Sequence, residues 1–204
     1  MSNFLFDTTR LSEVDTERYQ LTYDELRSKF NMQLTGHINF HLEDFDAFKT
    51  YLDFSVLGSY VIKNGYSDCY MLFIDTHTKK TQDKQIADVY EYQTWGLAYL
   101  KYDFGRVKIR PETMVDKISE LIHPIELDFK DDKAFSDTFY VLVDDRDKAN
   151  AHINRNFRNA VMDIREDDFV IEIVNHTLII GSRKPISPER AVYLGEFVCK
   201  IAAL

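Results

Sequence analysis

Between Phe139 and Gly181 the spacing of apolar residues changes period twice. Phe139-Tyr-Val-Leu-Val143 is a run of aromatic and β-branched residues with the composition of a strand. It stops at Asp144-Asp145, poor strand residues and good helix caps. Apolar positions then fall at Ala149, Ile153, Phe157, Ala160, Val161 and Ile164, three and four apart. That spacing predicts a helix with Arg155, Asn156, Arg158 and Asn159 facing water. After Glu166-Asp167-Asp168, two strand-like runs, Phe169 to Val174 and Thr177 to Ile180, flank Asn175-His176. Asn tolerates positive φ, so this pair predicts a tight hairpin. Ser187-Pro188-Glu189 then reads as an N-cap, a first-position proline and a first-turn acid. Ala191, Leu194, Val198 and Ile201 continue at helical spacing, predicting a last helix from about 188 to 203 that covers the hairpin.

The first half reads as strand-rich. Residues 1 to about 18 show little pattern and are expected to form a loose arm. Thr22-Tyr-Asp-Glu25 matches a capping box ahead of a short helix carrying Tyr23, Leu26 and Phe30. His37 to Leu42 alternates strictly, which predicts a half-buried strand. Glu43 to Tyr51 returns to helical spacing, while Phe54 to Tyr60 fits no one period. Asn64-Gly65 predicts a hairpin turn pairing residues 60–63 with 69–75. His77 to Gln85 is polar and lysine-rich, and reads as an exposed loop. Ile86 to Leu100 is dominated by aromatic and β-branched residues and is expected to be β. Arg106 to Arg110 follows as a strand with its basic residues on a solvated face. Pro111-Glu112 is expected to open a helix along Met114, Val115, Ile118, Leu121 and Ile122, with a strand at Ile125 to Phe129 after it. The fold class is therefore α+β, with a mostly antiparallel sheet packed by helices. The second half is strand, helix, hairpin, helix. The chain reads as one α+β domain over 1–204, or as two lobes, 20–123 strand-rich and 124–204 β-α-β-β-α.

Composition narrows the functional classes. The 204 residues are 45% hydrophobic and include 15 Phe and 12 Tyr, enough to fill a core. Seven Gly and four Pro leave no long flexible linker. A net charge of −9 argues against a bare nucleic-acid binder. The N-terminal residues lack the charged-then-apolar pattern of a secretion signal, and no apolar run reaches the ~20 residues of a membrane helix. The cytosol is the expected compartment, with Cys69 and Cys199 as reduced core thiols.

His37 and His41 share a strand face, but four strand residues span ~13 Å, too far to ligate one ion. Asp144, Asp145 and Asp147 resemble part of a calcium loop, yet the turn glycine and closing Glu are missing, so helix capping is expected. His152 reads as an exposed or partner-contacting residue. Gly65-Tyr-Ser67-Asp-Cys69 begins like a nucleophile elbow without its closing glycine. Neither G-x-G-x-x-G nor G-x-x-x-x-G-K occurs. No catalytic residue, cofactor or metal is assigned on these grounds. Tyr90, Tyr92 and Tyr99 lie around Trp95, the one tryptophan, and the four form the candidate interaction surface, because such side chains join apolar area to a polar tip.

Two stretches carry a resemblance. Val107-Lys-Ile-Arg-Pro-Glu112 resembles a phrase that follows the strand-rich part of a group of uncharacterised bacterial proteins. Phe135-Ser-Asp-Thr-Phe139-Tyr-Val141, with Asp144-Asp145 and a helix after it, is similar to the segment that comes next in that group. With Leu72-Phe-Ile-Asp75 as an earlier strand, the likeness covers roughly residues 55 to 203. It implies a fold layout of strand, acidic pair, helix and hairpin, and no catalytic residue. Members of the group often carry membrane-spanning segments before this region. The expected function is non-enzymatic, through contact with a protein partner or self-association. The alternative is a ligand-binding protein or enzyme with a pocket between the two lobes.

Overall fold

The structure, a computed structural model, describes residues 8, 9, 11–65, 67–82, 85–112, 124–164 and 166–204. Among these, nine strands form one antiparallel sheet in an α+β fold. The first helix, α1 (Glu13–Lys29), begins nine residues before the expected capping box. Ser12 is its N-cap and accepts a hydrogen bond from the Asp15 amide, Glu13 and Asp15 sit in the first turn, and Arg27 and Lys29 in the last, matching the helix dipole. Thr22 therefore lies within the helix, its hydroxyl donating to the Arg18 carbonyl. Tyr19, Thr22, Tyr23 and Leu26 form the buried stripe, too few apolar positions to announce the helix from its start.

Strand β1 (Met32–Leu34) follows, and His37 to Leu42 is not a strand. His41 adopts a left-handed conformation at φ 52°, and Asn39 accepts a hydrogen bond from its amide, which breaks the extended run. Phe40 and Leu42 still face inward, while Ile38 is exposed. A 3₁₀ turn (Leu42–Asp44) and the one-turn α2 (Asp46–Lys49) complete this segment in place of a longer helix. Strands β2 (Asp53–Ile62), β3 (Cys69–Gln82) and β4 (Gln85–Tyr99) form a meander whose first turn is the Asn64-Gly65 region. Of the expected loop from His77 to Gln85, residues 77–82 are instead the far end of β3 and Gln85 opens β4, while 83 and 84 lie outside the described residues. Lys79 lies opposite Asp88 in the ladder, and Lys80 pairs with Glu91, so polar residues are accommodated on a solvated two-stranded ribbon.

Strand β5 (Arg106–Pro111) includes the proline expected to open a helix; Pro111 pairs with Phe139 at the strand end. The apolar face of Met114, Val115, Ile118, Leu121 and Ile122 lies outside the described residues. Strand β6 is short (Ile125–Glu126), followed by α3 (Lys133–Ser136), capped by Asp132, and β7 (Phe139–Val143). Two helices stand where one was expected, α4 (Arg146–His152) and α5 (Arg155–Met162). Asn154 divides them: its side chain accepts from the Asn156 and Phe157 amides and starts a second N-cap. Asp145 caps α4 by accepting from the Asp147 and Lys148 amides. The hairpin β8 (Val170–Val174) and β9 (Thr177–Gly181) turns at Asn175, φ 56°, as its sequence implied. Helix α6 (Pro188–Ala202) starts on Ser187, which accepts from the Arg190 amide. The strand order is β1-β2-β3-β4-β9-β8-β5-β7-β6, so the last hairpin lies between strands of the first half.

The sheet separates two apolar clusters. On one face α1 and α6 pack with Tyr60, Met71, Phe73, Ala98 and Ile180, and the cluster continues under α4 and α5. On the other, Phe40, Leu42, Phe45 and Phe48 cover Leu72, Ile74, Trp95, Leu97 and Ile179. Two charged residues read as solvated are buried. Lys108 is 8% exposed and its ammonium lies 3.7 Å from the Glu172 carboxylate on the neighbouring strand. Arg158 is 5% exposed; it donates to Asp131 at 2.6 Å, Asp132 at 2.9 Å and the Ile153 carbonyl at 3.1 Å, and lies over the Phe129 ring. Helical periodicity shows which residues share a face, not that a guanidinium can be buried there once each of its nitrogens has an acceptor. Arg158→Ala is expected to destabilise the fold by about 2 kcal/mol. Its acidic partners keep access to water, which holds the loss below that of a fully buried pair. Arg158→Lys should recover less than half, since a lysine cannot supply the fork of donors. Urea unfolding checks both, and a lysine variant as stable as wild type would remove the argument.

Candidate interaction groove

Residues 99 to 105 leave β4 as a short loop held on the β8–β9 turn. The Leu100 amide donates to the His176 carbonyl at 2.6 Å, the Phe104 amide to the Asn175 carbonyl at 2.9 Å, and the Asn175 amide to the Gly105 carbonyl at 2.8 Å. Gly105 turns the chain at φ 69°, where a Cβ would also meet the Asp144 carboxylate at 2.7 Å. Asp103 accepts from the Gly105 amide and pairs with Lys148 on α4 at 2.7 Å. The lysine hydrogen bond draws the Asp103 carboxyl below its ordinary range and lifts Lys148 above its own. The β8–β9 turn and α4 therefore fix this loop in place.

Its ring side chains line a groove of about 870 Å³ between α4 and the end of α6. The His152 ring at the last position of α4 stacks on Tyr102, 4.7 Å between centroids with the planes 1° apart. Phe104 lies 5.3 Å from His152 and 5.7 Å from Phe157. Phe104, Phe157 and Ile201 are buried and form the floor; Tyr99, Tyr102 and Leu204 are about half-exposed and form the rim. Ser67, Lys101 and Asn154 add polar groups at the edge. Tyr99 also meets Tyr70 edge-on, and burial, with Tyr70 second, raises its phenol above the ordinary range. An apolar floor with half-wet aromatic walls suits an apolar segment whose ends remain in water.

A smaller cavity of about 160 Å³ lies between α5, the segment carrying Ile164, Glu166 and Asp168, and α6, over Phe169, Ile180, Leu194 and Phe197. Its rim is closed by ion pairs: Glu166 with Arg190 and Lys184, and Asp163 with Lys200. That volume is below the ~300 Å³ at which small-molecule pockets begin. Among the described residues no group of three or more His, Cys, Asp or Glu is placed to hold a metal, and no helix is long and apolar enough to cross a membrane.

No family model matches the chain, and no curated protein matches it. The chain shares its fold with a mycobacterial transport factor. That solved structure is trehalose monomycolate transport factor A, TtfA, with a TM-score of 0.55 over 92% of this chain and 91% of TtfA. The sequences are 8% identical, so the likeness to TtfA concerns the fold alone.

The four aromatic residues singled out in the sequence do not form one surface. Trp95 is 1% exposed, packed on Phe48 at 4.8 Å, with its indole N–H donating to Gln93 Oε1 at 3.0 Å. It fills the core and cannot anchor an exposed patch. Tyr92 belongs to the opposite cluster and meets the Tyr19 ring edge-on. Tyr90 stands exposed on the ribbon, stacked on His77 at 4.6 Å. Tyr99 alone reaches the groove. The strand period separates them: even-numbered Tyr90 and Tyr92 point to one face, odd-numbered Trp95 and Tyr99 to the other. His152, read as exposed or partner-contacting, lies at the centre of the groove. Sequence reasoning missed Tyr102, Phe104 and Leu204. The available signal was an aromatic pair in a loop that otherwise carries Lys101, Asp103 and Gly105.

Proposed function

We propose that the protein works by contact and not by turnover, taking an apolar segment of a protein partner into the groove of Tyr99, Tyr102 and His152. The observation that carries this is the half-exposed aromatic rim over a buried floor, held by a loop that hydrogen bonds make rigid. Aromatic side chains of this kind bring large contact area at low entropic cost, and a pre-set groove spares the ordering cost of binding. A benzophenone amino acid in place of Tyr102 is expected to crosslink one protein at defined mass, while the same label at exposed Glu17 on α1 does not. Tyr99→Ser should lower the yield about tenfold, the effect of one lost aromatic contact. A crosslinked dimer of this chain would place a second copy in the groove. Equal labelling from both positions would overturn the reading.

A second reading takes the groove as the seat of an amphiphilic small molecule. It draws on the aromatic lining and on the fold neighbour, whose name makes it a transport factor for trehalose monomycolate. Native mass spectrometry distinguishes the two. A reproducible extra mass that is lost in Tyr102→Ala supports the ligand, and a bare chain that crosslinks to a protein supports the partner.

A further inference from the structure

Cys69 and Cys199 stand 130 positions apart in the chain, and the fold brings their Sγ atoms to 3.3 Å. Cys69 opens β3 and is fully buried; Cys199 lies in the last turn of α6 and is half-buried. Beside them the Asn64 side-chain amide donates to the Cys199 carbonyl at 3.2 Å, tying the helix end to the β2–β3 turn. Both cysteines are free thiols. We propose that they form a dithiol–disulfide site that reacts with low-molecular-weight disulfides, Cys199 as the attacking thiol and Cys69 as the resolving one.

The surroundings divide the two roles. Cys199 is the one reachable from solvent, and accepting a hydrogen bond from Cys69 draws its thiol below the ordinary range. With Cys199 ionised, Cys69 is left as the donor of that bond, and the bond and burial push its thiol well above its range. The more acidic, accessible sulfur is the nucleophile in exchange. The Cys199 thiolate attacks one sulfur of a reagent R–S–S–R. The Cys199–S bond forms, the reagent's S–S bond breaks, and the departing R–S⁻ takes up a proton. Cys69 then gives its proton to water and attacks Cys199 Sγ. The internal S–S bond forms, and the second sulfur leaves as R–S⁻ and is protonated. Two protein thiols are oxidised and one reagent disulfide is reduced to two thiols. The product would join β3 to the helix whose end supplies Ile201 to the groove. The site stands on the sulfur geometry and does not depend on what the groove binds.

The test is to incubate the folded protein with excess oxidised glutathione, quench with iodoacetamide and weigh it intact. Wild type is expected to lose the mass of two hydrogens, with neither glutathione nor alkylating agent attached. Cys69→Ser should stop with one glutathione on Cys199. Cys199→Ser should leave Cys69 reacting about tenfold more slowly than Cys199 does in the Cys69→Ser protein. Wild type that retains glutathione, or that keeps two alkylatable thiols, would overturn the proposal. The wild-type mass decides this whether or not either variant folds.

Discussion

Gly181→Ala is expected to cost the fold about 3 kcal/mol, although adding a methyl to a strand glycine usually helps. The reason is one close approach. A Cβ at position 181 would lie 2.2 Å from Trp95 Cδ2 and 2.4 Å from Cε3. The ring cannot withdraw, because Phe48 packs on it at 4.8 Å and its N–H is held by Gln93. Gly181 itself is paired on both sides, with Trp95 and Val170, so the backbone cannot move without opening two ladders. For a chain of this size the melting temperature should fall by roughly 6–12 °C. A double-mutant cycle isolates the cause. In a Trp95→Leu background the alanine should cost less than about 1 kcal/mol, since the ring it meets is gone. Equal cost in both backgrounds would place the effect in the backbone and refute the packing argument.

Lys108→Met is expected to cost about 3–5 kcal/mol near neutral pH, because it leaves Glu172 buried without its cation. Glu172 is 4% exposed; its Oε2 accepts from the Ala47 amide at 3.3 Å, and its Oε1 has no hydrogen-bond partner. Burial already raises the Glu172 carboxyl above its ordinary 4.5, with Lys108 opposing the rise. A raised carboxyl contributes stability that is complete below its unfolded value and is lost as pH rises through the folded one. Removing Lys108 moves the folded value higher still. The penalty of Lys108→Met should therefore shrink as pH is lowered from about 7 to about 5. In a Glu172→Gln background it should be small and flat with pH. Chemical denaturation across that range checks both, and a penalty independent of pH and of residue 172 would show that lost packing of the lysine stem dominates.

Legibility followed the range of the interactions. The hairpin at Asn175, the cap at Ser187 and the strand at Phe139 were readable because each rests on neighbours within a few residues. The ribbon beyond His77 was not, because polar strand residues are stabilised by partners on the opposite strand. The His37–Leu42 strand failed for the converse reason: its alternation is real, with Phe40 and Leu42 inside, but a left-handed His41 takes the segment out of the ladder. The groove was half visible. His152 was read as exposed or partner-contacting and does line the groove, whereas Tyr102 and Phe104 were not legible, since nothing local says which helix a loop aromatic will meet.

The sequence by itself determined the α+β class, the hairpins at Asn64-Gly65 and Asn175, and the caps at Asp145 and Ser187, all products of backbone sterics, period and nearest-neighbour hydrogen bonds. Only the tertiary structure decided that β9 and β8 lie between β4 and β5, that Trp95 is core while Tyr99 is surface, and that Lys108 and Arg158 are buried. It also decided that two cysteines 130 residues apart are neighbours. These depend on which surfaces exclude water from one another, and that is settled by the whole packed chain.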